Sequence, residues 1–94
     1  MIARARHALE FATRPQRRTV MAAFRYRRYV DRGGRYAVER SACIFNRGLD
    51  NGRRLPVVWR ALVRVEAGWE IVSQHRTRRA AERACRRHAR EAIA

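Results

Sequence analysis

The run from Val57 to Val65 constrains this chain more than any other segment. Read with a period of two, Val57, Trp59, Ala61, Val63 and Val65 fall on one face, and Arg60 and Arg64 point the other way. Successive side chains of a strand project to opposite faces, so this pattern describes a half-buried strand rather than a helix. A strand with one apolar face needs partners on both sides and a layer to cover it. The rest of the chain must supply both.

Turn chemistry marks where the partners begin and end. Asp31-Arg32-Gly33-Gly34 separates two β-rich runs, Asp50-Asn51-Gly52 followed by Pro56 forms a longer loop, and Glu66-Ala67-Gly68 is a short turn between Val65 and Trp69. From Thr19 to Val30 one face carries Val20, Ala22, Phe24, Tyr26 and Val30, and the other carries Met21, Ala23, Arg25, Arg27 and Tyr29. Tyr36, Val38, Ala42 and Ile44 share a face in the next run, and Trp69, Ile71 and Ser73 share one in the last. The first run stays open, because Ala22, Tyr26, Tyr29 and Val30 also fit a helical stripe across residues 16–32.

The covering layer is a helix at the carboxy terminus. Thr77 is suited to the N-cap, and Ala81, Ala84, Cys85, His88 and Ala92 recur at helical spacing behind it. That face is mostly small and can lie close on a sheet, whereas the opposite face carries Arg79, Arg83, Arg86, Arg87 and Arg90. Ile2 to Phe11 forms a short helix in this reading, closed by Thr13 and Pro15. The fold class is therefore α+β: an antiparallel meander of three or four strands packed on a carboxy-terminal helix, with a short amino-terminal helix. Ninety-four residues make a single domain. Its parts are a helical arm over 1–18, a sheet over 19–76 and a helix over 77–93.

Charge decides what such a domain could do. All 23 basic residues are arginine, only eight acids oppose them, and the net charge is +15. Biased codon usage in a GC-rich genome would account for arginine over lysine. It does not account for the surplus of base over acid, which works against compactness through self-repulsion. The surplus points to a polyanionic partner, and the planar guanidinium fork grips phosphate bidentately. With Trp59, Ala61 and Val63 facing the helix, Arg60 and Arg64 face outward by the pleat, and Arg25 and Arg27 are expected to do likewise. The candidate nucleic-acid-binding residues are thus Arg25, Arg27, Arg60 and Arg64 on the sheet and Arg79, Arg83, Arg86, Arg87 and Arg90 on the helix.

A family resemblance rests on part of this pattern. Trp59, Ala61, Val63 and Arg64, a turn, and then Thr77, Ala81, Arg83 and Ala84 form the order strand, strand, helix within WRALVRVEAGWEIVSQHRTRRAAERA. The stretch resembles the second half of the three-stranded-sheet-plus-helix DNA-binding domain of plant ethylene-response factors and phage integrase amino termini. The resemblance implies that Arg60 and Arg64 contact DNA while Trp59 and the alanine face pack the core.

Other chemistries find fewer residues. His75 beside Arg76, Arg79 and Glu70 is the one constellation that suits a metal-independent ribonuclease of the small-toxin kind. Cys85 and His88 share a helical face, with Cys43 as a third possible ligand, but no paired CxxC or second histidine completes a zinc signature. No catalytic residue, metal ligand or cofactor is assigned. Two lone cysteines suit a reducing, cytoplasmic setting, and no apolar run has the length of a membrane span. The leading expectation is a non-enzymatic nucleic-acid-binding protein, with DNA favoured over RNA. The alternative is an inhibitor or accessory protein of a mobile element that binds an acidic protein surface, and a homodimer is open in either case.

Overall fold

The computed structural model describes residues 9–21, 24–43 and 56–93, with the backbone alone at Arg17, Arg18, Met21, Cys43 and Ile93. Five strands are followed by one helix: β1 (Arg17–Met21), β2 (Phe24–Val30), β3 (Tyr36–Cys43), β4 (Val58–Val65), β5 (Gly68–His75) and α1 (Arg78–Ile93). All neighbouring strands pair antiparallel, in the order β1-β2-β3-β4-β5. The α+β meander is as expected, but it has five strands rather than three or four.

The extra strand comes from the run read as continuous over 19–30. It divides between Met21 and Phe24, which stand opposite each other in the register. No glycine, proline or asparagine marks that division, which is why alternation alone runs straight through it. The same division settles the helical alternative for 16–32 in favour of strands. Among the described residues no helix precedes β1. Residues 2–8 of the expected amino-terminal helix lie outside the described set, and the segment after them is extended. There Phe11 bridges to Asp31, and the Ala12 N–H donates to the Val30 carbonyl at 3.1 Å. The 50–52 loop signal also lies outside the described residues.

The two remaining turns use glycine where the backbone requires it. Gly34, at φ 78°, closes the β2–β3 turn, in which the Asp31 carboxylate accepts from the Glu10 and Gly33 N–H groups at 2.8 and 3.0 Å. Gly68, at φ 140°, opens β5 after Glu66 and Ala67. Both angles are ones that a side chain disfavours.

Thr77 caps α1 as predicted, its Oγ1 accepting from the Ala80 N–H at 3.1 Å. The helix starts at the end of β5 where His75 pairs with Trp59, and runs back along the sheet over β3, β4 and β5. Ala81, Ala84, Cys85 and Ala89 pack there on Tyr29, Tyr36, Val38, Ala61 and Val63, with Trp59 and Val72 at the margin. Alanines on the helix and at Ala61 let the backbones approach closely, so the core is thin and made of small parts. Cys85 is fully buried, with its Sγ 3.5 Å from the Ala37 carbonyl oxygen.

One irregularity redirects β5. The register passes from Ala61–Ser73 to Leu62–Ile71, so Val72 is the extra residue of a bulge. Trp69 and Ile71 therefore lie on the face away from the helix, opposite Arg64 and Leu62, while Ser73 lies on the helix side. The expectation that Trp69, Ile71 and Ser73 share one face fails at this bulge.

Candidate nucleic-acid interface

The register assigns each sheet arginine to a face, because directly opposed residues of antiparallel strands project to the same side. One row is Arg28, Glu39, Arg60 and Gln74, on the face away from the helix. The next is Arg27, Arg40, Trp59 and His75, on the helix side, and Arg18 stands opposite Arg27 in β1. Arg25, two residues before Arg27, is on the helix side as well.

This corrects the expected grouping. Arg25 and Arg27 do not share a face with Arg60 and Arg64; they share one with Tyr29, which packs 5.9 Å from the Trp59 ring in the core. The reason is that Tyr29, rather than the more apolar set of Phe24, Tyr26 and Val30, meets the helix. Because α1 starts beside the Trp59–His75 pair and runs the other way, Arg25, Arg27 and Arg40 lie beyond its amino-terminal end. No helix covers them among the described residues.

The two rows differ in charge balance. On the outer face Arg28 donates to Glu39 Oε2 from Nη2 at 2.8 Å and from Nε at 3.1 Å, and both side chains are largely buried. On the helix side the row contains no carboxylate. The strand acid on that face is Glu70, opposite Val63 and four residues of β4 away from Trp59, about 13 Å at the rise of a strand. Arg27 and Arg40 are thus like charges directly opposed, an arrangement that destabilises a sheet. Arg27 Nε is buried without a hydrogen-bond partner.

The helix row is only partly as predicted. Arg79, Arg83, Arg87 and Arg90 are exposed along the solvent side of α1. Arg86 leaves the row: it is half-buried, donates to the Leu9 carbonyl at 3.2 Å, approaches Glu82 at 3.7 Å and lies over the Phe11 ring. Arg78 acts similarly two turns earlier. It donates to Glu82 and to the Ala12 carbonyl, both at 2.8 Å, and sits 4.4 Å from the centre of the Tyr29 ring. Arg78 and Arg86 together clip the extended 9–12 segment to the helix. The first turn of α1 holds no acid, so its positive end adds to the same electropositive region.

No known protein family, curated protein or solved structure matches the chain. A functional reading has to come from the residues themselves. Residues 59–84 fold as β4, β5 and the start of α1, and the sheet then continues through two strands more than the three-stranded DNA-binding domain contains. Of the two arginines singled out by that resemblance, Arg64 is exposed, whereas Arg60 is half-buried with an Nη1 that meets neither solvent nor partner.

The other candidate chemistries are dispersed. His75 Nε2 lies 2.7 Å from Ser73 Oγ. The register puts Glu70 about 13 Å along the strand from it, too far to share a proton relay. His88 Nδ1 lies 2.8 Å from the Tyr36 hydroxyl, and the rings meet edge to face. Burial pushes the Cys85 thiol up to about 11, which keeps it protonated at neutral pH. Desolvation likewise raises the Tyr36 phenol above its ordinary value. The Cys43 side chain lies outside the described set.

Sequence reasoning missed Arg40. It lies within the expected strand, but only the register shows that it opposes Arg27.

Proposed function

We propose that this chain is a non-enzymatic nucleic-acid-binding protein, with DNA favoured over RNA, that holds phosphates through the arginines on the helix side of its sheet. Arg25, Arg27 and Arg40 form the sheet part of the surface, and Arg79, Arg83, Arg87 and Arg90 continue it along the helix. All of these lie on one side of the sheet, so a single polyanion can meet both parts. The observation that carries the reading is the Arg27–Arg40 cross-strand pair, with no carboxylate in its row. A sheet bearing such a pair is relieved by an anion that bridges the two guanidiniums, and a phosphate matches their fork geometry. The preference for DNA is taken from the resemblance of residues 59–84 as to the kind of partner alone, since the arginines it implicates, Arg60 and Arg64, lie on the other face.

Affinity of this origin comes from counterion release and must fall with salt. A footprint of about six phosphates loses on the order of a thousandfold affinity between 50 and 200 mM salt. Gel shifts on duplex DNA, single strands and duplex RNA at those two concentrations test the proposal. A flat salt titration rejects it. A stoichiometric protein partner that survives nuclease treatment would replace nucleic acid with an acidic protein surface.

A further inference from the structure

The outer face of the sheet carries a pocket that the phosphate-binding surface does not use. It has a volume of about 260 Å³ and is lined by Gln16, Arg28, Val30, Arg64 and Trp69. Trp69 stands on β5 opposite Arg64, yet its ring reaches toward β2: the Arg28 guanidinium carbon is 5.5 Å from its centre and that of Arg64 is 5.4 Å. This span crosses Ala37 and Leu62. Both are nearly or fully buried although no helix covers that face among the described residues, so the long side chains of the face itself cover them. The small side chain of Ala37 leaves room for an indole to lie across.

Two of the lining residues are anchored. Glu39 holds Arg28 through two hydrogen bonds to one oxygen. Gln16 is exposed, and its backbone is anchored by an N–H that donates to the Arg28 carbonyl at 2.7 Å. Arg64 is exposed and has no carboxylate partner among the described residues. The pocket thus offers an indole, an aliphatic side chain at Val30, an amide that both donates and accepts, and a guanidinium with no carboxylate partner among the described residues. Its volume falls below the roughly 300–1,000 Å³ of pockets for drug-sized ligands. A single planar ring is the right size.

We propose that this pocket receives one unpaired base of a nucleic-acid strand, which takes the place of the exposed Arg64 guanidinium over the Trp69 ring, with Gln16 at the polar edge of the base and the displaced Arg64 on the adjoining phosphate. The proposal rests on the nucleic-acid reading above and specifies the form of the partner: a single-stranded segment, because a base within a duplex cannot leave its stack without cost. Arg27 and Arg28 are neighbours on β2 that face opposite ways. A flexible strand curling over the β1 edge would therefore meet both surfaces, as a straight duplex would not.

The test uses Trp69 as its own probe in a Trp59→Phe background, which removes the other tryptophan. A mixed-sequence single-stranded 12-mer, as DNA and as RNA, should quench the Trp69 emission, and the matching duplex should not. Trp69→Leu keeps the apolar cover over Ala37 and Leu62. It should weaken single-strand binding roughly five- to hundredfold, the range that stacking on an aromatic supplies, and leave duplex binding within about twofold. Trp69→Phe should restore most of the loss, which guards against reading a folding defect as a lost contact. Nucleoside monophosphates that quench as well as the strand would make the site one for free nucleotides and overturn the assignment. So would Trp69→Leu binding single strands like the native chain. If neither single strand nor duplex binds the native protein at 50 mM salt, the parent reading has failed; if the duplex alone binds, only the pocket has.

Discussion

Two adjacent rows of one sheet use the same residue type for different ends. Arg28 and Arg60 flank Glu39 on the outer face; Arg27 and Arg40 oppose each other on the helix side with no acid between them. The strands are the same, the rows are neighbours, and the one carboxylate between them is Glu39. Where a carboxylate is present, arginine becomes part of the fold: Arg28 is held by two hydrogen bonds and largely buried. Where it is absent, the charge has no carboxylate partner among the described residues. Arg78 and Arg86, both paired with Glu82, follow the first pattern on the helix, and Arg79, Arg83, Arg87 and Arg90 follow the second. Surplus charge by itself is therefore a poor guide to function. What separates the arginines built into the fold from those available to a partner is the position of the few acids.

The sharpest way to break this contrast is to make the outer row resemble the inner one. Glu39→Ala removes the acid of that row and leaves the part-buried Arg28 guanidinium beside Arg60 with nothing to accept its hydrogen bonds. Fully buried pairs lose 3–5 kcal/mol when one partner goes, and partial exposure lowers that to about 2–3 kcal/mol here. Urea unfolding should show a lower midpoint with an unchanged slope. A loss below about 0.5 kcal/mol would mean that Glu39 organises nothing. Binding to DNA should not weaken, because the helix-side row is untouched.

The converse change makes the inner row resemble the outer one. Arg40→Glu places a carboxylate opposite Arg27, turning a repulsive cross-strand pair into an attractive one. Pairs of this kind contribute about 0.2–1 kcal/mol, so the variant should be slightly more stable than the native chain. It should also bind nucleic acid on the order of ten- to a hundredfold more weakly, with a shallower salt dependence, because one phosphate contact is removed and a second is occupied internally. Stability and affinity moving in opposite directions is the signature of a residue kept for its ligand. If both fall together, Arg40 is structural.

How much of this is legible in the sequence depends on the range of the signal. The β4 alternation, the Gly33-Gly34 and Gly68 turns and the Thr77 cap are local, and each appears where its residues place it. The division between Met21 and Phe24 and the Val72 bulge leave no local mark, because neither Ala22-Ala23 nor Val72 is a turn residue. Each changes which face a neighbouring residue occupies. The bulge separates Trp69 from Ser73, whereas Arg25 and Arg27 are grouped with Arg60 and Arg64 because alternation does not say which face of β2 meets the helix. A face is a property of the register, and a register needs two strands. The exposed helix arginines are legible because the 3.6-residue period needs no partner. Arg86 is not, because its partners Leu9 and Phe11 lie more than seventy residues earlier in the chain.

Arg60 gives the smallest expected effect and the finest test of the same contrast. It sits in the compensated row, but Glu39 accepts from Arg28, and the Arg60 Nη1 is buried with no acceptor. A buried donor without a partner costs about 1–3 kcal/mol of desolvation, while the aliphatic stem of the same side chain contributes apolar cover. Arg60→Met retains most of that cover and removes the orphaned donor. Relief of the orphaned donor outweighs the small loss of cover, and the variant should gain about 0.5–1 kcal/mol by thermal unfolding. Its affinity for duplex DNA should stay within about twofold, since one phosphate contact is worth close to one unit of salt slope and none is lost. A tenfold loss of binding with a reduced slope would instead place Arg60 at the phosphate backbone. That outcome would restore the outer face as the DNA surface that the family resemblance implies, and would leave the Arg27–Arg40 pair without the role assigned to it.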